Sequence, residues 1–169
     1  MPEDEALILA VDPALSFEAF FEAETETLFR RLCLITGNRA EAEEIAQDAF
    51  LKIWERWDRV AHLDDRVGYL YRVAMNVFRN RYRRATLAIR KAADPELRTD
   101  EFGAAEIREG VARGLAKLTP RQRAAVVLVD LLGYGSDEAG RMLGIKAGTV
   151  RSLVIKARKT LREELEEHP

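Results

Sequence analysis

Two stretches of sequence decide the fold: RAEAEEIAQDAFLKIWERW, residues 39–57, and RVGYLYRVAMNVFRNRYRR, residues 66–84. With about 100° of rotation per residue, each stretch places apolar side chains on one side of a helix. On the first helix that side consists of Ala42, Ile45, Ala46, Ala49, Ile53 and Trp57. Phe50, Leu51 and Trp54 widen the apolar arc well beyond the roughly 100° that one core requires. The pattern therefore predicts a helix with two apolar surfaces, one facing its own core and one facing a partner.

The second stretch separates an apolar side from a basic side. The buried side is predicted to contain Val67, Leu70, Tyr71, Ala74, Val77, Phe78 and Tyr82. The opposite side carries an aromatic ring, three guanidinium groups and two amides, from Tyr69, Arg72, Asn76, Arg79, Asn80 and Arg83. Such groups bind phosphates and stack on bases, which makes this side a candidate nucleic-acid surface. The competing interpretation is that this arginine-rich side is only solvated. For Trp54 and Trp57 of the first helix, the competing interpretation is that both rings pack in the core.

Size and composition limit the class of protein. A chain of 169 residues with 47% hydrophobic and 33% charged residues fits one large or two small soluble, helix-rich domains. No apolar run approaches the roughly 20 residues of a membrane span, and the acidic start, residues 1–5, does not resemble a secretory signal. We therefore expect a cytoplasmic protein. Cys33 is the single cysteine and is predicted to be buried, and with His62 and His168 distant in sequence a zinc site is not expected.

The net charge of −2 conceals a strong segregation of charge. Residues 18–55 carry nine acids and four bases, whereas residues 66–93 carry eight bases and no acid. Residues 141–162 carry seven bases and again no acid. Two basic blocks on a weakly acidic chain predict two separate surfaces for a polyanion.

The helical periodicity and its interruptions predict an all-α protein of two helical domains. Residues 14–91 are predicted to form the first bundle, and residues 104–166 the second. Between them AADPELRTDEFG, residues 92–103, has a proline, a glycine and no clear period, so it is predicted to be a flexible linker. A loose tail is predicted before residue 16, and a short polar connector over residues 58–65.

Capping residues mark the predicted helix ends. Ser16 is expected to cap the first helix and Gly37 to end it. Asn38, three residues before Glu41, is expected to cap the second. Thr119-Pro120-Arg121-Gln122 has a capping threonine, a proline at the first helical position and a glutamine three residues after the cap. This is a strong signal for a helix start.

Residues 136–160 predict a helix–turn–helix. Ser136 is expected to cap a helix ending at Leu143, and a second helix is expected over residues 147–166 after a turn at Gly144. The residues expected to reach DNA are Lys146, Thr149, Arg151, Ser152, Ile155, Lys156 and Lys159. Polar groups at the start of a recognition helix suit base edges, an isoleucine suits a thymine methyl group, and lysines further along suit phosphates.

In this combination the chain resembles the extracytoplasmic-function (ECF) sigma factors of bacterial RNA polymerase. AEAEEIAQDAFLKIWERWD resembles the helix that grips the polymerase clamp, and VGYLYRVAMNVFRNRYRR resembles the promoter-melting helix. LTPRQRAAVVLVDLLGYGSDEAGRMLGIKAGTVRSLVIKARKTL resembles the family's second domain. The likeness extends over residues 17–165, in the family's order and with no middle domain.

The resemblance implies a role for each surface. Contacts with core RNA polymerase are implied for Gln47, Asp48, Phe50, Leu51 and Trp54. The basic side of the second helix, from Tyr69 to Arg83, is implied to bind the minus-ten element of promoter DNA, and the connector to capture a flipped base. The helix–turn–helix is implied to read the minus-thirty-five element. The family usually pairs with an anti-sigma factor, so such a partner is expected as well.

Some residues depart from the family pattern. Tyr69 stands where tryptophan is usual, which retains stacking. Ala139 and Gly140, expected at the contact of two helices, stand where an isoleucine–alanine pair is usual. Leu153 stands where arginine is common.

The resemblance predicts a non-enzymatic transcription initiation factor that needs no cofactor. The sequence contains no nucleophile–base constellation, phosphate loop or metal cluster that would support catalysis. The alternative is a helix–turn–helix regulator that binds duplex DNA without joining the polymerase. That alternative accounts for residues 119–162 but leaves the second apolar surface of residues 39–57 without a use.

Overall fold

The described part of the chain consists entirely of helices and turns. The computed structural model describes residues 16–89 and 109–167. The all-α prediction is confirmed for these residues. The predicted tail, the linker over residues 92–103 and the predicted start of the second domain at residue 104 lie outside the described residues.

The first bundle contains three long helices and one short one: α1 Phe17–Thr36, α2 Arg39–Trp54, α3 Trp57–Val60 and α4 Arg66–Ile89. The predicted caps are confirmed. The Ser16 hydroxyl accepts a hydrogen bond from the Ala19 N–H at 3.1 Å, and the Asn38 side chain accepts one from the Glu41 N–H at 2.9 Å. Gly37 ends α1 with φ at 65°, a left-handed conformation that glycine adopts without steric cost.

The end of α2 differs from the prediction. The helix ends at Trp54 instead of Trp57, and Trp57 begins α3 within what was predicted to be a polar connector. The change in direction brings the Trp57 ring to 5.6 Å from Phe17 and 5.4 Å from Phe20. Contact with α1 thus overrides the local helical period at this point. The helix after the connector, α4, continues past Arg84 to Ile89, within the predicted first bundle of residues 14–91.

Over residues 109–167 the second bundle contains four α-helices: α5 Glu109–Ala116, α6 Pro120–Val126, α7 Ser136–Leu143 and α8 Ala147–Glu167. The capping box predicted at Thr119 and Gln122 is present, with both hydrogen bonds formed. After α6 the chain continues as a π-helical turn over Val127–Leu131. Ser136 is the first residue of α7 and not its cap, because Gly135 occupies the cap position without a side-chain hydrogen bond.

The two bundles are in contact with each other. Within the first, α1 packs on α2 and α2 on α4, and in the second α8 packs on α5, α6 and α7. Between the bundles α1 packs on α6, and α4 packs on α7. The buried apolar residues of both bundles belong to one cluster. The sequence predicted the two bundles but not this contact.

Candidate functional surfaces

The outer side of α2 carries an exposed apolar surface. Leu51 is 54% exposed and Trp54 is 58% exposed, although the other side of the same helix fills the core. Gln47, one turn before Leu51, is also exposed. We call these three residues the α2 apolar face. The prediction that α2 has a second apolar surface, separate from the core, is confirmed.

Phe50 lies below this surface and not on it. Its side chain is buried, with only 4% exposed, and its ring centroid lies 4.8 Å from that of Phe21 at an angle of 70°. An open groove of about 440 Å³ runs between α1 and α2 at this point, lined by Phe21, Phe29, Ala46, Gln47 and Phe50 among others. Phe50 thus shapes a groove beside the α2 apolar face.

Asp48, predicted with the same group, faces α4. Its carboxylate accepts a hydrogen bond from Arg81 at 3.2 Å, and the same guanidinium donates to Glu44 at 2.5 Å. All three side chains are partly exposed, so each pair stabilises the fold only modestly. In this structure Asp48 forms an ion pair that links α2 to α4.

The predicted nucleic-acid side of α4 is present as a continuous surface. We call Tyr69, Arg72, Asn76, Arg79, Asn80 and Arg83 the α4 basic face. Tyr69 and Arg79 are half-buried, and the other four residues are exposed. Arg79 donates a hydrogen bond to the Asn76 side chain at 2.9 Å, which orients the guanidinium along the helix. The opposite side of α4 packs into the core as the period predicted, although Val67 and Tyr82 on that side are only half-buried.

A shallow pocket of about 240 Å³ lies where α4 faces the end of α2. It is lined by Lys52, Arg56, Tyr69, Arg72, Val73 and Asn76. Lys52 and Arg56 were not predicted as site residues. Lys52 lies in the last turn of α2, and Arg56 lies in the turn that follows. Their spacing of four residues is the signal that could have suggested them. The two basic side chains extend the α4 basic face beyond α4 itself.

The helix–turn–helix is built around two glycines. Gly144 ends α7 with φ at 66°. At Gly140, an added Cβ would lie 2.7 Å from the Ile145 carbonyl oxygen, far closer than real Cβ atoms come. The departure from the family pattern at Gly140 therefore has a physical reason, the close approach of the turn to α7. Leu153 is half-buried and packs against the core, so it does not take the place of a DNA contact.

One side of α8 is free of contacts with the core. We call the predicted DNA-reading set, Lys146, Thr149, Arg151, Ser152, Ile155, Lys156 and Lys159, the α8 basic face; every member is exposed. Ile155 is 65% exposed, which is unusual for an isoleucine. Arg158 lies apart from this set, because its guanidinium donates two hydrogen bonds to Asp130, at 2.9 and 2.5 Å. That pair joins α8 to the π-helical turn.

A fully buried arginine joins the two bundles. Arg123 on α6 has no exposed surface. It donates hydrogen bonds to the carbonyl oxygens of Ile35 at 2.7 Å and Thr36 at 3.2 Å, at the end of α1. It also donates to Leu118 at 2.7 Å and to Leu115 at 3.3 Å in its own bundle. Burial lowers the pKa of Arg123 to about 10, so the group remains charged at neutral pH. A cation at the C-terminal end of a helix is favourable.

The α4 basic face is partly covered by the second bundle. Arg72 forms an ion pair with Glu138 of α7 at 2.9 Å, and the Arg79 side chain lies directly against Gly144. A shallow cleft at this junction is lined by Arg72, Asn76, Arg79, Arg141 and Met142. The helix–turn–helix therefore packs through α7 against part of the α4 basic face.

Neither a metal site nor a membrane span is found in residues 16–89 and 109–167. No group of three or more histidine, cysteine, aspartate or glutamate side chains in these ranges could hold a metal ion. None of their helices combines the length and apolarity required to cross a bilayer. Cys33 is buried, as predicted, and burial raises the pKa of its thiol.

Comparison with known proteins identifies the family. The model of Sigma-70 region 2 matches residues 20–87, and that of Sigma-70 region 4 matches residues 108–161. The chain is 31% identical to the ECF RNA polymerase sigma factor SigM of Mycobacterium tuberculosis over 152 residues, 86% of this chain and 75% of that protein. It is also 29% identical to the ECF RNA polymerase sigma factor SigE of Mycolicibacterium smegmatis over 163 residues. That alignment covers 90% of this chain and 63% of that protein.

A solved structure has the same fold. The sigma factor RpoE of Bartonella quintana, crystallised with the anti-sigma factor NepR, aligns with a TM-score of 0.67 at 20% identity, over 90% of this chain and 98% of that one. The region 2 match covers α1 to α4, and the region 4 match covers the helix–turn–helix. The chain belongs to the ECF RNA polymerase sigma factor family.

Proposed function

We propose that this sigma factor docks on core RNA polymerase through the α2 apolar face. The observation that carries this proposal is the exposure of Leu51 and Trp54 on a helix whose opposite side is fully packed. Neighbouring exposed apolar side chains of this size are typical of a surface that binds another protein. Aromatic side chains are also the most frequent energetic centres of protein interfaces. The groove over Phe50 adjoins this surface and offers a partner helix a place for an apolar side chain.

The α4 basic face then holds the opened minus-ten strand. Arg72, Arg79 and Arg83 provide phosphate contacts, Asn76 and Asn80 provide hydrogen bonds, and Tyr69 provides a stacking ring. Unstacking a base costs a few kcal/mol, and stacking on an aromatic ring returns about 1–3 kcal/mol per base. The pocket that Tyr69 shares with Lys52 and Arg56 has the charge and shape to support a strand there.

The α8 basic face reads duplex DNA at the minus-thirty-five element. Thr149, Arg151 and Ser152 lie in the first turns of α8, where side chains of a recognition helix reach base edges. Lys156 and Lys159 lie further along and contact phosphates. Residues 14–91 and 104–166 are the two functional units in this proposal, and residues 92–103 connect them.

The chain performs no catalysis in this proposal, since the polymerase carries out the chemistry. Its site of action is the cytoplasm, where core polymerase and promoter DNA are found. An anti-sigma factor is proposed as a further partner, because the Bartonella quintana relative of the same fold was crystallised with one. The exposed α2 apolar face is the surface on which such a protein would compete with polymerase.

Transcription by purified core polymerase with and without the full chain tests the proposal. We expect promoter-dependent initiation and permanganate-reactive thymines only when the chain is present. Leu51→Glu should abolish both effects. Ala40→Glu, which adds the same charge at an exposed position of α2, is the matched control and should leave both effects unchanged. Sequence-specific duplex binding by the chain without any effect on initiation would instead favour a duplex-binding regulator.

A further inference from the structure

The groove between α1 and α2 has an apolar floor and is open to solvent. Its lining includes Phe21, Phe29, Ala46 and Phe50. Phe21 remains 40% exposed, although phenylalanine is usually buried. Exposed apolar surface of this kind is typical of a site that another segment or protein covers. We call this recess the α1–α2 groove.

The α1–α2 groove follows α1 away from the start of that helix. At one end the Phe21 ring lies 4.8 Å from the Phe50 ring. At the other end the guanidinium of Arg39 lies over the Phe29 ring, 5.3 Å from its centroid. At about 1.5 Å per residue along the axis of α1, the two ends lie about 8 and 20 Å from Ser16.

The sequence before Ser16 contains a short uncharged apolar stretch, ALILAV, residues 6–11. Three acids precede it at residues 3–5, and the pair Asp12-Pro13 follows it. An aspartate–proline pair favours a turn, and proline disfavours a helical conformation in the residue before it. The sequence therefore favours a change of direction between the ALILAV stretch and α1.

We propose that the ALILAV stretch binds in the α1–α2 groove of its own chain and competes there with core RNA polymerase. The competition, but not the binding, rests on the proposed docking of polymerase through the α2 apolar face. Gln47 belongs to both surfaces, because it lines the groove and is part of that face. A segment that covers the groove at Gln47 therefore blocks part of the surface that polymerase would use.

The length of the chain fits this placement. Val11 lies five residues before Ser16, and Ala6 lies ten residues before it. At up to about 3.3 Å per residue, these two positions can lie as far as about 17 and 33 Å from Ser16. The ALILAV stretch can thus extend from the Phe21 end of the groove to the Phe29 end.

The distribution of charge fits as well. The ALILAV stretch carries no charge, so the exposed carboxylates of Glu26 and Glu43 in the groove lining do not repel it. The acids at residues 3–5 would then lie at the end where the exposed Arg39 covers Phe29. An exposed ion pair there contributes little affinity, but it favours one direction of the segment in the groove.

A short connection makes weak binding sufficient. Residues 12–15 alone separate the ALILAV stretch from Ser16, and effective concentrations across short linkers are in the millimolar range. A stretch that binds as a free peptide with a Kd of about 0.1 mM would therefore occupy its own groove about 90% of the time. A competing partner would then bind about tenfold more weakly.

Disulfide trapping in the full chain under a mild oxidant tests the binding. Leu9→Cys is combined with Thr25→Cys in the groove or with Ala23→Cys as the matched control. Ala23 is exposed and lies about 200° around α1 from Thr25, at nearly the same distance from Ser16. The native Cys33 is buried and stays in both variants. We expect the crosslink at Thr25 to form about tenfold faster than that at Ala23, at a rate independent of protein concentration.

The affinity for core polymerase tests the competition. Leu7→Ser combined with Leu9→Ser removes two large apolar side chains from the ALILAV stretch, and Ala14→Ser, outside the stretch, is the matched control. The double variant should bind core polymerase about two- to tenfold more tightly than the parent, because the surface around Gln47 is then accessible. Ala14→Ser should match the parent.

Equal rates of crosslinking at Thr25 and Ala23 would overturn the proposal. Selective crosslinking at Thr25 that accelerates with protein concentration would also overturn it, because the occupant of the groove would then be a second copy of the chain. Parental polymerase affinity in the double variant would refute the competition. If the parent and every variant failed to bind polymerase, the proposed function of the α2 apolar face would be refuted, and the crosslinking rates would still decide whether the stretch binds in the groove.

Discussion

Trp54 and Trp57, three residues apart, provide a sharp test of the polymerase-binding surface. An indole side chain offers up to about 250 Å², so the 58% exposed fraction of Trp54 leaves about 145 Å² for a partner to cover. At about 25 cal/mol per Å², covering that area contributes about 3.5 kcal/mol. Trp54→Ala should therefore weaken binding to core polymerase by about 2–3.5 kcal/mol, or about 30- to 300-fold in Kd. The free energy of unfolding should change by less than about 0.5 kcal/mol, because the side chain is exposed.

Trp57→Ala should give the opposite pair of results. The Trp57 ring packs against Phe17 and Phe20 and is half-buried, so its loss should lower the free energy of unfolding by about 2–3 kcal/mol, below the range for fully buried aromatics. The folded variant should bind polymerase nearly as well as the parent. Fluorescence anisotropy with core polymerase measures the Kd, and urea unfolding measures stability. Parental affinity in Trp54→Ala, or a loss of stability equal to that of Trp57→Ala, would refute the assignment of Trp54 to an interface.

Further substitutions test the DNA surfaces and the turn. Arg83→Ala should weaken binding to every promoter and reduce the salt slope by about 1, whereas Arg151→Ala should change the preferred upstream base by about 1–3 kcal/mol. Equal losses on all upstream variants would make Arg151 a phosphate contact. Gly140→Ala should lower the thermal midpoint, because the added Cβ would lie 2.7 Å from the Ile145 carbonyl oxygen. An increase of about 1 kcal/mol in the free energy of unfolding, which is normal for this change inside a helix, would contradict that. Cys33, buried and with a raised pKa, should react with a thiol reagent at neutral pH only after unfolding, and rapid reaction in native buffer would argue against its burial.

Local signals in the sequence predicted most of the fold. The caps at Ser16, Asn38 and Thr119 depend on residues three positions away, so they can be recognised without the tertiary structure. The helical arc placed Trp57 on the core-facing side of the helix and Trp54 in the additional apolar arc. It missed the break between them, because that break depends on the packing of Trp57 against a different helix. Local periodicity carries no information about such a contact.

Distant contacts explain what the sequence could not predict about the candidate surfaces. Arg123 binds carbonyls 88 and 87 residues away in the chain, and backbone carbonyls leave no trace in side-chain patterns. Glu138 lies in the first turn of α7, where a negative charge interacts favourably with the helix dipole without any other partner. Its partner Arg72 is 66 residues away. The exposure of the α4 basic face was predicted correctly for the helix alone, and the second bundle then covers part of it.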